Sequence, residues 1–258
     1  LNSNSALETA FERLSTGKRI NSASDDAAGL AIATELNSRV SGLNQAVRNV
    51  NDGISMVQIM EGTYDEVTSI LQRMRDMAVQ AANGSLSSTE QGYLETEQTA
   101  LQSALNDALE QATFSNIDLA DNTSASVISI SIQAGSNTGD AVSIALTSAN
   151  ASNASGLGIT AIDLSSAATA AIGLADAAIG HVATQRAQLG AYQAQLESTV
   201  RNLSNVAENT AAAAGRIMDT DYAAETANLA KAQILQQAAT SVLAQANAQP
   251  QAVLSLLQ

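Results

Sequence analysis

From Leu36 to Ala81 the apolar residues keep a heptad beat, and no other feature so narrows what this chain can fold into. Leu36, Val40, Leu43, Val47, Val50, Ile54 and Val57 alternate steps of four and three, and Met60, Tyr64, Val67, Leu71, Met74, Ala78 and Ala81 continue the series. Such spacing puts all of these side chains on one seam of a helix that packs lengthwise against partners. The beat falters once, at Ile54, Val57 and Met60, where two successive steps of three make a stammer that overwinds a coiled coil locally. A helix from about Ala27 to Ala82 is roughly 80 Å long at a rise of about 1.5 Å per residue. Its start is expected in SASDDAAGLA, with Ser24 as N-cap and Asp25 and Asp26 in the first turn, where negative charge complements the helix dipole.

The rest of the chain supplies partners for that seam. Asn83-Gly84-Ser85 ends the long helix, and Ser87-x-x-Glu90 is a capping box that opens a second helix with Leu94, Leu101, Leu105, Ala108 and Ala112 as its stripe. The two should fold back as an antiparallel hairpin. The period then changes to two: Ile128, Ile130 and Ile132 alternate with serines, Val142, Ile144 and Leu146 repeat the pattern, and Asn137-Thr138-Gly139-Asp140 lies between them as a turn. This is a β-hairpin with one apolar face, followed by the polar loop TSANASNASGLG. Helix resumes near Ala167, with Ile172, Ala175, Ile179, Val182, Leu189, Leu196, Val200, Leu203 and Ala207 in one register, interrupted by Arg186 and Gln193. Gly215 is expected to break it, and Asp219-Thr220-Asp221 to cap a final helix.

That final helix raises a question of its own. After Lys231 no charged side chain follows, although the chain carries a formal charge of −14. Its glutamines rule out a membrane anchor, and no run of about 18 apolar residues occurs anywhere in the sequence. Two Phe and no Trp leave little bulk for a globular core, whereas a single proline and abundant Ala, Gln, Leu and Glu favour long helices. The fold class is therefore mainly α: an elongated antiparallel helical bundle or coiled coil with a small β-hairpin region and a terminal helix that lacks an obvious partner.

The chemistry of catalysis is missing from the sequence. Without cysteine there are no disulfides, thiolate metal sites or thiol nucleophiles. His181 is the sole histidine and reads as a surface residue, which excludes histidine-based triads and HExxH metal sites. Ser15-Thr16-Gly17-Lys18-Arg19 fails as a phosphate loop, because Glu12 stands at the first glycine position and Arg19 at the Ser/Thr position. Asp219 and Asp221 are more simply caps than cation ligands, and the Asn-x-Ser/Thr triplets at Asn122 and Asn150 are common by chance. With 25 acidic against 11 basic residues, nucleic acid is excluded as a partner. No enzyme, cofactor or metal is expected.

The segment ERLSTGKRINSASDDAAGLAIA, from Glu12 to Ala33, closely resembles the N-terminal signature of bacterial flagellins, and NDGISMVQIMEGTYDEV and LQRMRDMAVQAAN resemble the blocks that follow it. DTDYAAETANLAKAQILQQAATSVLAQANAQPQAVLSLLQ is similar to the flagellin C-terminus almost throughout. The resemblance covers essentially the whole chain and is to the short form without large outer variable domains. It implies an extracellular structural subunit that polymerises into the flagellar filament for motility after unfolded, type III flagellar export. It implies paired terminal helices in the filament core. It further implies a secretion chaperone on the C-terminal helix, and encounters with filament cap and hook-junction proteins. The assembly and chaperone-binding residues would be Leu229, Ile234, Leu235, Val242, Leu243, Val253, Leu254, Leu256 and Leu257. In some flagellins animal toll-like receptors recognise the LQRMRDMAVQ block, which corresponds here to Gln72, Arg73, Met77 and Gln80, with Glu97 alongside. Met77 stands where those flagellins have leucine. Flagellins also have a methionine and a short apolar stretch before the segment matching Leu1, and without it polymerisation is expected to weaken or fail.

The implied organisation is an N-terminal segment 1–26, rod helices 27–115, a β-hairpin and loop region 116–166, a returning rod helix 167–215 and an inner-core helix 216–258. The alternatives are a hook–filament junction protein and a cell-surface binding module on a flagellin scaffold. The close C-terminal match argues against the first, and the scarcity of aromatics argues against the second.

Overall fold

The computed structural model describes residues 2–120, 127–147, 157, 164 and 167–256, with side chains from 4 to 246 within those spans apart from a few at the edges of the gaps. The elements in order are α1 (Asn2–Thr16), α2 (Ala27–Ala81), α3 (Ser88–Glu110), β1 (Thr113–Phe114), β2 (Ile117–Asp118), β3 (Val127–Gln133), β4 (Ala141–Thr147), α4 (Ala168–Met218) and α5 (Tyr222–Leu256). They form two compact units: Gly42–Asn205 is one, and Leu1–Ser41 with Val206–Gln258 is the other. Both α2 and α4 contribute to each unit.

In the Gly42–Asn205 unit the heptad seam is buried as its spacing requires. Val50, Val57, Met60, Tyr64, Val67, Leu71, Met74, Ala78 and Ala81 are all nearly inaccessible to solvent. Exposed ion pairs fix the antiparallel register of the three helices: Arg73 to Glu97 at 2.6 Å joins α2 to α3, while Arg75 to Asp176 at 2.6 Å and Arg186 to Asp65 at 3.0 Å join α2 to α4. Each such surface pair is worth at most about 1 kcal/mol, so they select register while the apolar seam supplies the stability. Ser87 and Glu90 make the expected capping box, and the Ser87 hydroxyl and backbone hold the Glu90 carboxyl below its usual pKa.

Several details differ from the expected pattern. On α3 the interior takes Gln98, Leu105 and Leu109, so Leu109 rather than Ala108 continues the stripe. On α4 the small Ala171 and Ala178 occupy the interior while Ile172 and Ile179 are half-buried beside them. Gln185, not Arg186, is the polar residue inside, and Arg186 reaches outward to Glu61 and Asp65. His181 is half-buried rather than a surface residue, and desolvation lowers its pKa so that the neutral ring is favoured. The Tyr64 hydroxyl is enclosed, and burial pushes its pKa up to about 12.

The longer hairpin forms as the alternation requires, with Ile128 opposite Leu146, Ile130 opposite Ile144 and Ile132 opposite Val142. Ile132, Ile144 and Leu146 face inward. The Asn137–Asp140 turn closes it, Gly139 adopting a left-handed φ of 98°. The hairpin docks on helices at the stammer. Gly53 of α2 leaves the gap into which Ile132 inserts, next to Leu196 of α4. The Tyr192 hydroxyl donates to the Ala145 carbonyl at 3.1 Å and accepts from its amide at 3.2 Å, and Asn49 donates to the Gln133 carbonyl at 3.3 Å. Gly53, Met56, Val57 and Met60 are all buried there, where Ile132 of the hairpin and Leu196 of α4 both reach α2.

A second, tiny hairpin was not foreshadowed by the apolar pattern. Thr113–Phe114 pairs with Ile117–Asp118 across Ser115 and Asn116, both at positive φ (49° and 65°). Such two-residue turns twist with the strands they join. Beyond it Leu119 is fully buried, its amide bonded to the Ala112 carbonyl at 2.9 Å. Most of the polar loop after β4, including Asn150, and the triplet at Asn122 lie outside the described residues.

Candidate assembly surface

The other unit is built around the two ends of the chain. α1 and α5 run antiparallel, as Asn4 accepting from Gln236 at 3.0 Å and Arg13 lying 3.9 Å from Glu225 require. Ala10, Ala232 and Glu225 are buried along the pair, with Leu7, Leu14 and Leu229 half-buried beside them. Among the described residues they are the helix pair whose Cα atoms repeatedly approach within 8 Å. Helix spacing depends on the side chains at the contact, and the two buried alanines allow a close approach.

The entries to both helices are locked by caps and by a backbone clamp. Asp26, not Ser24, is the N-cap of α2: its carboxylate accepts from the Gly29 amide at 2.9 Å. Asp25 instead closes the preceding turn by accepting from the amides of Asn21 at 3.0 Å and Ser22 at 2.9 Å, and these bonds, Ser22 foremost, hold its carboxyl below the usual range. Asp221 caps α5 as expected, accepting from the amides of Ala223 and Ala224. Gly215 does not break α4, which continues to Met218; the absent side chain leaves room for the Asp219 carboxylate.

The links α1–α2 and α4–α5 then bond to each other. The Arg19 amide donates to the Met218 carbonyl at 2.6 Å, the Thr220 amide to the Gly17 carbonyl at 3.0 Å, and the Arg19 guanidinium to the Ile217 carbonyl at 2.8 Å. Gly17 sits at a φ of 70°, with the Tyr222 hydroxyl so near that a Cβ would meet it at 2.8 Å. The clamp thereby fixes where α1 and α5 depart relative to one another. Arg19, which spoiled the phosphate-loop match, is used here as a carbonyl cap.

Beyond the clamp α5 leaves its apolar residues in water. Ile234 is 66 % exposed, Leu235 50 %, Val242 62 % and Leu243 61 %, whereas Leu229 is half-buried. Val253, Leu254 and Leu256 lie in the helix with side chains outside the described set, and Leu257 lies outside it altogether. Of the five residues expected at a receptor surface, Gln72, Arg73 and Gln80 are exposed on α2, and Glu97 on α3 joins Arg73. Met77 is 1 % exposed, because α2 lies between two helices here and buries a wider face than a single heptad seam. Among the described residues no group of three or more His, Asp or Glu is placed to hold a metal, and no helix is long and apolar enough to cross a membrane.

The family described as the bacterial flagellin N-terminal helical region matches residues 1–125, and that described as the bacterial flagellin C-terminal helical region matches residues 172–257. A flagellin of Halalkalibacterium halodurans is 42% identical over 253 residues, covering 97% of this chain and 92% of that one. The flagellar filament 33 kDa core protein of Treponema phagedenis is 38% identical over 269 residues, covering 100% and 94%. Flagellin A of Vibrio cholerae is 36% identical over an alignment of 358 residues that covers 98% of this chain and 94% of its own, so it carries sequence that this shorter chain omits. The crystal structure of Bacillus cereus flagellin matches with a TM-score of 0.50 at 25% identity, covering 65% of this chain and 94% of that one. By these matches the chain belongs to the bacterial flagellins.

Proposed function

We propose that α1 and α5 together form the surface through which this chain joins the filament, and that the exposed side of α5 is covered by a secretion chaperone beforehand. As a flagellin the chain is a structural subunit of the extracellular flagellar filament rather than an enzyme, and its principal partner is itself. The observation that carries the proposal is the exposure of Ile234, Leu235, Val242 and Leu243 on a helix with no charge after Lys231. Full burial of an aliphatic side chain is worth about 1.5–3 kcal/mol. Four of them left in water therefore hold a reserve that only a partner can release. Export in an unfolded state fits a thin alanine-rich seam without disulfides. Cap and hook-junction proteins would meet the same terminal pair at the two ends of the filament.

The test replaces Val242 and Leu243 with aspartate in cells where this gene is the only source of filament subunit. Filaments should be absent, and the purified secretion chaperone should bind the full variant chain at least tenfold more weakly than the unaltered one. Filaments of normal length would contradict the proposal.

A receptor reading also has support. Gln72, Arg73 and Gln80 are exposed on α2, the half-buried Glu97 of α3 pairs with Arg73, and Met77 is buried. An animal toll-like receptor that recognises this block would contact those four side chains.

A further inference from the structure

We propose that the filament contact between neighbouring copies includes a knob and a hole on opposite flanks of the α1/α5 pair: Phe11 with Glu8 and Glu12 from one copy enters a cleft of the next copy rimmed by Lys231. This deepens the subunit reading and rests on it.

The hole is a cleft of about 470 Å³ between α1 and α5. Ala6, Thr9, Ala232 and Leu235 give it apolar walls, and Arg13 and Lys231 stand at its rim. Glu225 is 7 % exposed and lies 3.9 Å from Arg13, so that acid offsets the arginine. Lys231 makes no ion pair among the described residues, and Glu225 is the only other charge on α5. The cleft therefore offers an apolar floor beside one uncompensated cation, a combination that fits an aromatic or aliphatic side chain flanked by a carboxylate.

The knob lies across α1. Phe11 is two residues from both Thr9 and Arg13, and a separation of two on an α-helix turns about 200°. It accordingly projects away from the cleft, and it is 52 % exposed although it is one of only two phenylalanines in the chain. Glu8, one turn before it, and Glu12, next to it, are both exposed. An apolar group flanked by acids thus occupies one flank of the pair, and an apolar cleft beside a cation occupies the other. Complementary patches at different places on one molecule make heterologous contacts, which propagate from copy to copy without closing. That is the kind of contact a filament needs.

Charge reversal tests it, using full-length monomers added to seeds cut from native filaments. Lys231→Glu alone, and Glu8→Lys with Glu12→Lys, should each raise the critical concentration for growth at least tenfold. Combining all three in one chain should bring it back to within about threefold of the unaltered protein, since like charges would again face opposite ones. Phe11→Ala should weaken growth to a similar degree and should not be rescued. The melting temperatures of all the monomers should agree, because the contact lies between chains. Normal growth of the singly altered chains, failure of the combined chain to recover, or a loss of monomer stability that the combination repairs would each overturn the knob and hole. If monomers released from native filaments failed to extend the seeds, the subunit reading itself would fall, and the contact with it.

Discussion

Gly17→Val should sharply raise the critical concentration for filament growth while leaving the stability of the Gly42–Asn205 unit unchanged. Gly17 holds a φ of 70°, and its carbonyl accepts from the Thr220 amide at 3.0 Å in the clamp between the two chain-end links. The left-handed conformation costs a residue with a Cβ about 1–2 kcal/mol, and a branched side chain costs more. A Cβ there would also meet the Tyr222 hydroxyl at 2.8 Å, and Tyr222 is the first residue of α5. Both penalties fall on the junction that aims α1 and α5, so a total of about 2–3 kcal/mol should appear as a critical concentration raised roughly 30- to 150-fold. Gly17→Asn should be milder, because asparagine tolerates this conformation best among residues with a side chain. The measurement is seeded growth of the full-length monomer together with thermal unfolding of the monomer. Normal growth of Gly17→Val would mean that the clamp does not set the helix pair.

The second large effect lies in the other unit. Gly53→Leu should lower the stability of that unit by about 2 kcal/mol, the balance of two opposed terms. Removing a helical glycine gains about 1 kcal/mol in propensity, while forcing a large side chain into a filled site costs about 1–3 kcal/mol and sometimes more. Here the cost dominates, because Ile132 already occupies the space and Leu196 closes the far side. The melting transition should fall by roughly 4–8 °C. Ile132→Ala alone should also destabilise by leaving a cavity, yet in combination with Gly53→Leu it should recover most of the loss. Strict additivity of the two changes would show that the hairpin does not dock at Gly53.

Much of this fold is legible in the sequence because helices announce themselves by period. The seam from Val57 to Ala81 is buried as its spacing implied, and the Ser87–Glu90 box and the Ile-rich hairpin fall where their residue types place them. The misplacements share one physical origin: a heptad describes contact with one neighbour, whereas α2 here has several. Met77 lies inside on a stretch of α2 that pairs with both α3 and α4, and Gly53 is buried because a hairpin distant in sequence lands on it. Similarly, Ala171 and Ala178 displace Ile172 and Ile179 because close packing rewards small residues at the crossing rather than the largest ones available.

The assembly surface was legible in a different way. Absence of charge after Lys231 pointed to a partner surface, and the structure leaves four of its aliphatic side chains exposed. What local pattern could not reveal was the clamp, since Arg19 and Met218 are brought together only by the folding of both chain ends. Glycine at position 17 was its one trace in the sequence.

If the α1/α5 pair is completed only by other copies of the chain, amide hydrogen exchange along α5 should differ between native filaments and the monomers released from them. Residues 229–246 should exchange quickly in the monomer, since an exposed helix edge opens locally at little cost, and on the order of 100-fold more slowly in the filament. The seam from Val57 to Ala81 should be protected in both. Equal protection of residues 229–246 in monomer and filament would mean that those side chains have no burial left for assembly to complete, and that other copies do not complete the pair.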